Sequence, residues 1–547
     1  MNPANTENQP IETSPVHDLL TQAVARFPDI MAMDFLGKRT SYAELGRLID
    51  RAAAGFQRLG VKKGSCVALC LPNTPYYVIC YYAILKIGGV VVNLNPLYVE
   101  KELRHFLSDS GARIAVTLDV AELFEKFKPI VVDGSLEHLV VGSMLDILDP
   151  IKKFGFWLTK RKALAHIPSH VGYVPFKALL AGNKPVEAVA CNPEADLAVL
   201  QYTGGTTGVP KAAMLTHANL TANCMQVRRR LPEITPGGGM LTLVPLFHVF
   251  AMTIALNLSV LLGLEIILLP RYEPKMLRKT LARTRPLFFP GVPTIYANIN
   301  EAVQKEKWEL SSIRYCVSGA APLPEEVRKQ FEKNSGCLLV EGYGLSEASP
   351  VVACNDFGNV RDGSIGTPVA GTLVEIRDKD DPTKILPQGE KGEVCVRGPQ
   401  VMQGYWNRPD ETAKVFVDGF LRTGDMGYID SEGYIFLVDR IKDLIISGGY
   451  NVYPRIIEEV LYKHPAVLEA VVVGIPDAKR GQVPKAYVKL QEGAQVTEQE
   501  LQTFLAEHLS PIERPKKIEF RDMLPKTVVG KLSRKELVAE EAAKASS

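Results

Sequence analysis

The sequence predicts an α/β protein: a large N-terminal domain of parallel α/β sheets with a small β subdomain, then a smaller C-terminal α+β domain. Three observations carry this expectation. From Thr40, helical stretches alternate with short, wholly apolar strands, the texture of parallel sheets covered on both faces. From Gly371 the texture changes to short strands broken by turns. Beyond the charged run Asp439-Arg440-Ile441-Lys442-Asp443 a fresh α/β pattern begins, which divides the chain into residues 1–440 and 441–547. At 547 residues the chain is too long for one core.

Taken in order, Ser41-Tyr42-Ala43-Glu44 has the form of a capping box, opening an amphipathic helix to about Leu59 that Gly60 closes. Strand Cys66–Leu71, helix Tyr76–Ile87, strand Val90–Leu94, helix Glu102–Ser110 and strand Arg113–Thr117 follow. Leu197–Leu200 reads as a buried strand, and Thr216 with Asn219 caps a helix to about Leu231. Short strands at Leu287–Pro290, Tyr315–Ser318 and Leu338–Glu341 come next, then Val374–Arg377, Gly392–Gly398 and Gly433–Asp439 in the β-rich part. The last part reads as helix Ile456–Lys463, strands Ala470–Val473 and Ala486–Leu490, helix Glu498–Leu509, strand Ile518–Phe520 and a final helix from Ser533.

Composition excludes several classes. A net charge of +2, from 63 basic and 61 acidic residues, argues against nucleic acid as partner. Nine cysteines stand singly with no C-x-x-C pair, as expected of buried thiols in a reducing cytoplasmic compartment. Residues 1–15 are polar, so no secretory signal is expected. The apolar runs Tyr76–Val92 and Phe250–Leu269 are interrupted by Lys86 and Gly88-Gly89, and by Asn257, Gly263 and Glu265. Each therefore reads as helix, turn and strand and not as a membrane span. The segment from Ile147 to Lys162 interleaves Phe154, Phe156 and Trp157 with Lys152, Lys153, Lys160, Arg161 and Lys162. That is the pattern of a helix lying on an anionic membrane face, or of one that merely packs on the domain. The chain is expected to be cytoplasmic or peripheral to a membrane, and a homodimer is compatible with the sequence.

The chemistry concentrates in Tyr202-Thr203-Gly204-Gly205-Thr206-Thr207-Gly208-Val209-Pro210-Lys211. Glycines turn backbone N–H groups toward an anion, threonine hydroxyls add donors, and a lysine adds charge. This suits a polyphosphate, although Pro210 and Ala212 exclude the Walker A pattern, and a surface Gly/Thr hairpin is the plainer alternative. Ser318-Gly319-Ala320-Ala321 is a small-residue strand end that a flat ring can approach closely. In Glu341-Gly342-Tyr343-Gly344-Leu345-Ser346-Glu347, Tyr343 can stack a base and Glu347 can hold Mg²⁺. Asp425 after a glycine turn can clamp ribose hydroxyls, and Lys531 is presented on a turn near the end. His248, among apolar residues, is by itself an ordinary core histidine.

Together these motifs resemble the adenylate-forming superfamily of acyl-CoA synthetases, luciferases and adenylation domains, and most of all bacterial long-chain fatty acid–CoA ligases. The resemblance runs from about Thr40 to Leu537. It rests on Leu200–Val209, Val340–Leu345, Gly398-Pro399-Gln400-Val401-Met402, and Ser447-Gly448-Gly449 through Asn451-Val452-Tyr453-Pro454. It implies ATP, Mg²⁺ and CoA, and a fatty acid activated as acyl-AMP before transfer to the thiol. Thr203, Gly204, Gly205, Thr206, Thr207, Gly208 and Lys211 would hold the β- and γ-phosphates, with Thr206 beside the metal. Gly319, Ala320, Ala321 and Tyr343 would form the adenine slot, and Glu341, Gly342 and Gly344 would also contact ATP. Ser346 would meet the α-phosphate, Glu347 the metal, and Asp425 and Arg440 the ribose. His248 would stand at the mouth of the acyl tunnel, Lys442 at the hinge, and Ser447, Gly448 and Gly449 along the CoA channel. Lys531 would be catalytic in the first half-reaction. A medium-chain or aryl acid–CoA ligase and a fatty acyl-AMP ligase fit the same motifs. An inactive lipid-binding homologue would lack Lys531, Glu347 or Asp425, and all three are present.

Overall fold

A computed structural model describes residues 10–169, 171–182, 184–203, 210–527 and 530–546. The expected parallel α/β region forms two sheets. One has nine strands: the strands from Gly239, Glu265, Phe288, Tyr315 and Leu338 run parallel with Met31–Phe35, and antiparallel strands finish both edges. The other has seven, parallel throughout except where Leu197–Thr203 meets Lys211–Thr216. Several of their central strands are buried from end to end (Val90–Asn93, Ile114–Leu118, Glu265–Leu268), which is why these lack period-two alternation. A third sheet, five-stranded and antiparallel, is built from Leu373–Arg377, Gly392–Arg397, Phe416–Val417, Phe420–Ile429 and Ile435–Arg440. The fourth lies wholly within Ile445–Phe520 and has its own apolar core, Ile445 through Ile518.

Local signals act as expected where side chains cap backbone. Ser41 accepts from Glu44 N–H at 3.2 Å and opens helix Tyr42–Arg58. Thr216 and Asn219 exchange reciprocal bonds at the start of helix His217–Arg230. Two features differ from expectation. Phe250–Leu269 opens with a π-helical turn, Ala251–Asn257, before the helix Leu258–Leu262. Asn257, one of the polar residues that argued against a span, accepts from Tyr82 Oη at 2.9 Å and donates to Tyr81 Oη at 3.0 Å. In the basic-aromatic segment the helix is Pro150–Lys160, but Ile147 and Leu148 are buried and Phe156 packs against the core. Among the described residues, no helix is long and apolar enough to cross a membrane.

Candidate active site

One cleft of about 970 Å³ gathers most of the singled-out residues. Its walls hold Thr203 and Lys211 from the antiparallel pair of the seven-stranded sheet, and His248 from the turn before the π-helical segment. Gly319 and Ala320 follow the strand Tyr315–Ser318, and Gly342, Tyr343 and Gly344 end the neighbouring strand Leu338–Gly344. Ser346 and Glu347, then Asp425, Arg440, Lys442 and Lys531, complete it. The cleft therefore sits where parallel strands end, as ligand sites of open α/β sheets do. Gly204, Gly205, Thr206, Thr207 and Gly208 lie outside the described residues. Among the described residues, Ala321, Glu341, Ser447, Gly448 and Gly449 are not in its wall.

The strands fix the side chains. Asp425 and Arg440 are register partners on antiparallel strands, and Arg440 Nε lies 3.2 Å from Asp425 Oδ1. The other carboxylate oxygen accepts from Tyr343 Oη at 2.6 Å, so ring and carboxylate are mutually oriented. Gly344 is dictated by packing: a Cβ there would stand 2.0 Å from Pro350 O. At Gly319 a Cβ would press on the Phe250 ring at 3.1 Å, and Ala320 sits at φ 67, unusual for a residue with a side chain. Glu347 Oε1 accepts from Tyr405 Oη at 2.8 Å, and burial raises its carboxyl pKa. Lys211 pairs with Glu411 and lies 5.2 Å from the Tyr405 ring centre. Glu341 projects elsewhere; burial lifts it to about 7 against the opposing charge of Arg455.

Lys531 enters the cleft on a turn in which Thr527 N–H donates to Lys531 O at 2.7 Å. Thr294 Oγ1 donates to Gly530 O at 2.7 Å, and Arg455 N–H donates to Asp439 Oδ2 at 2.8 Å. These bonds tie the last part of the chain against the first. Burial, then the charges of Arg440 and Arg534, bring the Lys531 ammonium down to about 7. His248 is close enough to feel it: burial first, then Lys531, lower the imidazole to about 4. Phe250 N–H donates to His248 Nδ1 at 3.3 Å, which leaves the proton of the neutral ring on Nε2.

Among the described residues, no group of three or more His, Cys, Asp or Glu side chains could hold a metal ion by itself. Glu347 alone suits a Mg²⁺ whose other ligands are phosphate and water, the usual sharing for this ion. Sequence reasoning missed Tyr405 and Glu411. Tyr405 follows Gly404, but each residue gains its place by long-range pairing, to Glu347 and to Lys211, which sequence spacing does not show.

Comparison with known proteins bears on this geometry. Residues 20–406 match the AMP-binding enzyme family model, and residues 456–531 match the model of the AMP-binding enzyme C-terminal domain. A long-chain-fatty-acid–CoA ligase of Bacillus subtilis is 43% identical over 97% of this chain and 95% of its own. One of Escherichia coli is 38% identical over 97% and 95%. The crystal structure of the anthranilate CoA ligase AuaEII with anthranoyl-AMP superposes with a TM-score of 0.85 at 26% identity, covering 100% of both chains.

Proposed function

Because the chain belongs to the AMP-binding enzyme family, we propose that it is an ATP-dependent long-chain fatty acid–CoA ligase. The observation that carries this reading is the single cleft in which Lys531 and the Asp425–Arg440 pair face apolar walls from Phe250, Ile254 and Val317. One end suits a nucleotide and the other a hydrocarbon chain.

In the first half-reaction a carboxylate oxygen of the fatty acid attacks the α-phosphorus of ATP, and the bond to pyrophosphate breaks. Thr203 and Lys211 hold the leaving phosphates, with Gly204, Gly205, Thr206, Thr207 and Gly208 between them in sequence. Lys211 exchanges Glu411 for phosphate oxygen as ATP enters. Tyr343 stacks the adenine between Gly319-Ala320 and Gly342-Gly344, and Asp425 accepts from the ribose hydroxyls. Lys531, drawn into the cleft as a cation, offsets the charge that grows as two anions meet. Ser346 donates to the α-phosphate. Glu347, aligned by Tyr405, would hold Mg²⁺, which supplies charge neutralisation across the phosphates. Neutral His248 leaves the mouth of the acyl end uncharged.

In the second half-reaction the CoA sulfur attacks the acyl carbon, the thiol proton departs, and AMP leaves as its bond to that carbon breaks. Lys531 lines the cleft, while Ser447, Gly448 and Gly449 stand outside its wall, so CoA would enter only after the lysine withdraws. A rotation of residues 441–547 about Lys442 against residues 1–440 would exchange them. We assign the protein to the cytoplasm, resting on anionic membrane through the helix Pro150–Lys160, whose Ile151, Phe154, Trp157 and Leu158 are exposed. AMP release measured with ATP, CoA and a series of fatty and aromatic acids tests the function. Turnover with long-chain fatty acids that requires CoA supports it; turnover with aromatic acids alone overturns it.

A further inference from the structure

One wall of the cleft, beyond the strand that ends in Gly342–Gly344, carries a polar contact among apolar residues. Helix His217–Arg230 ends there, and Val227, Arg230 and Leu231 line the cleft together with Phe357. Arg230 Nη1 meets Asp356 Oδ1 at 2.7 Å, while Nη2 donates to Thr367 Oγ1 at 2.9 Å and to Pro368 O at 2.6 Å. The guanidinium thus pins the helix end to the antiparallel edge of the nine-stranded sheet, where Cys354 and Thr367 are register partners.

Position follows from the strands: Gly342 pairs with Cys354 and Cys354 with Thr367, so the guanidinium lies two strands beyond Gly342, and Phe357 extends the same wall toward the start of the neighbouring strand. Phe357 packs edge-on against Tyr315 with ring centres 5.2 Å apart. Tyr315 precedes Ser318, at the rim beside Gly319, by three positions of one strand, about 10 Å at ~3.3 Å per residue. Exposure shows which side of the wall each partner occupies. The Arg230 side chain is 11% exposed and the Asp356 side chain 48%. The pair therefore separates the apolar interior from bulk water.

Resting on the acyl-ligase reading above, we propose that Arg230 and Asp356 form a clasp that ends the acyl cavity and sets the longest chain the protein accepts. A methyl terminus that reaches the clasp meets a paired guanidinium it can neither bond nor displace without unpairing the charges. A shorter chain never touches it. Arg230 and Asp356 are specificity-determining residues remote from the reacting atoms, so their loss acts through the KM of long acids and leaves the chemistry intact.

The test compares acyl-AMP formation from decanoate, hexadecanoate and docosanoate by the parent chain, Arg230→Met, Asp356→Asn and the charge-keeping variant Arg230→Lys. In Arg230→Met and in Asp356→Asn the kcat/KM ratio of docosanoate to decanoate rises roughly tenfold, the scale of apolar pocket discrimination, whereas Arg230→Lys, which keeps a cation beside Asp356, stays near the parent value. A merely structural clasp would lower Tm and slow all three acids equally. A ratio unchanged in Asp356→Asn, which alters a half-exposed carboxylate without removing its bulk, overturns the proposal. A parent chain that activates aromatic acids but none of the three overturns the ligase reading, and the clasp with it.

Discussion

Lys531 has an ordinary ammonium at 10.5 that the cleft brings down to about 7, through burial and the nearby Arg440 and Arg534. A base lowered in this way costs the closed arrangement stability as pH falls from 10.5 toward 7, because protonation there is disfavoured. Under the proposed function, phosphate bound beside Lys531 would offset that cost and so couple closure to ATP binding. In the proposed adenylation the cationic form is the useful one, and it is lost above about 7 in the free protein. We expect kcat/KM for ATP in acyl-AMP formation to fall as pH rises through about 7, and Lys531→Arg to abolish that alkaline limb. Identical profiles for the two proteins would contradict the assignment. The residues legible beforehand, such as Tyr343, Glu347, Asp425 and Lys531, lie in or beside glycine turns, where sequence restricts the backbone. Tyr405 and Arg230 were not legible, because what defines each is a partner 58 or 126 positions away.

Among the elements, the short helical turn Ile441–Asp443 carries the hinge proposal. Proline at Lys442 fixes one backbone torsion, so Lys442→Pro should slow one half-reaction far more than the other. Equal rates relative to the parent chain would remove the hinge from that position. The helix Pro150–Lys160 presents a second element-scale test. Phe156 turns inward against the core, so only Phe154 and Trp157 are outward aromatics. Replacing both with serine should weaken co-sedimentation with anionic vesicles roughly tenfold to a hundredfold, by loss of apolar burial. Unchanged co-sedimentation would leave the helix a packing element. The sequence pattern could show that apolar and basic residues interleave here, but not which aromatic faces the core. That depends on the buried Ile147 and Leu148 at the segment's start, which set the helix against the domain.

At the scale of the molecule, strand alternation made the α/β class legible, and the change of texture at Gly371 marked the antiparallel sheet. The separation of the parallel strands into two sheets was not legible, since wholly apolar strands carry no sign of which neighbour they pair with. Nor was the docking of the last part of the chain. It is held by long-range contacts that include the bonds from Thr294 to Gly530 and from Arg455 to Asp439 and the ion pairs of Arg534 with Asp439 and of Lys305 with Glu492. Those contacts place Lys531 in the cleft and leave Gly448 and Gly449 outside its wall, an arrangement suited to adenylation. Lys531 is proposed to serve one half-reaction and not the other, and measuring both in Lys531→Ala tests that division of labour. Acyl-AMP formation should fall by roughly a hundredfold to a thousandfold, while transfer from supplied acyl-AMP to CoA proceeds near the parent rate. An equal loss of both half-reactions would contradict it.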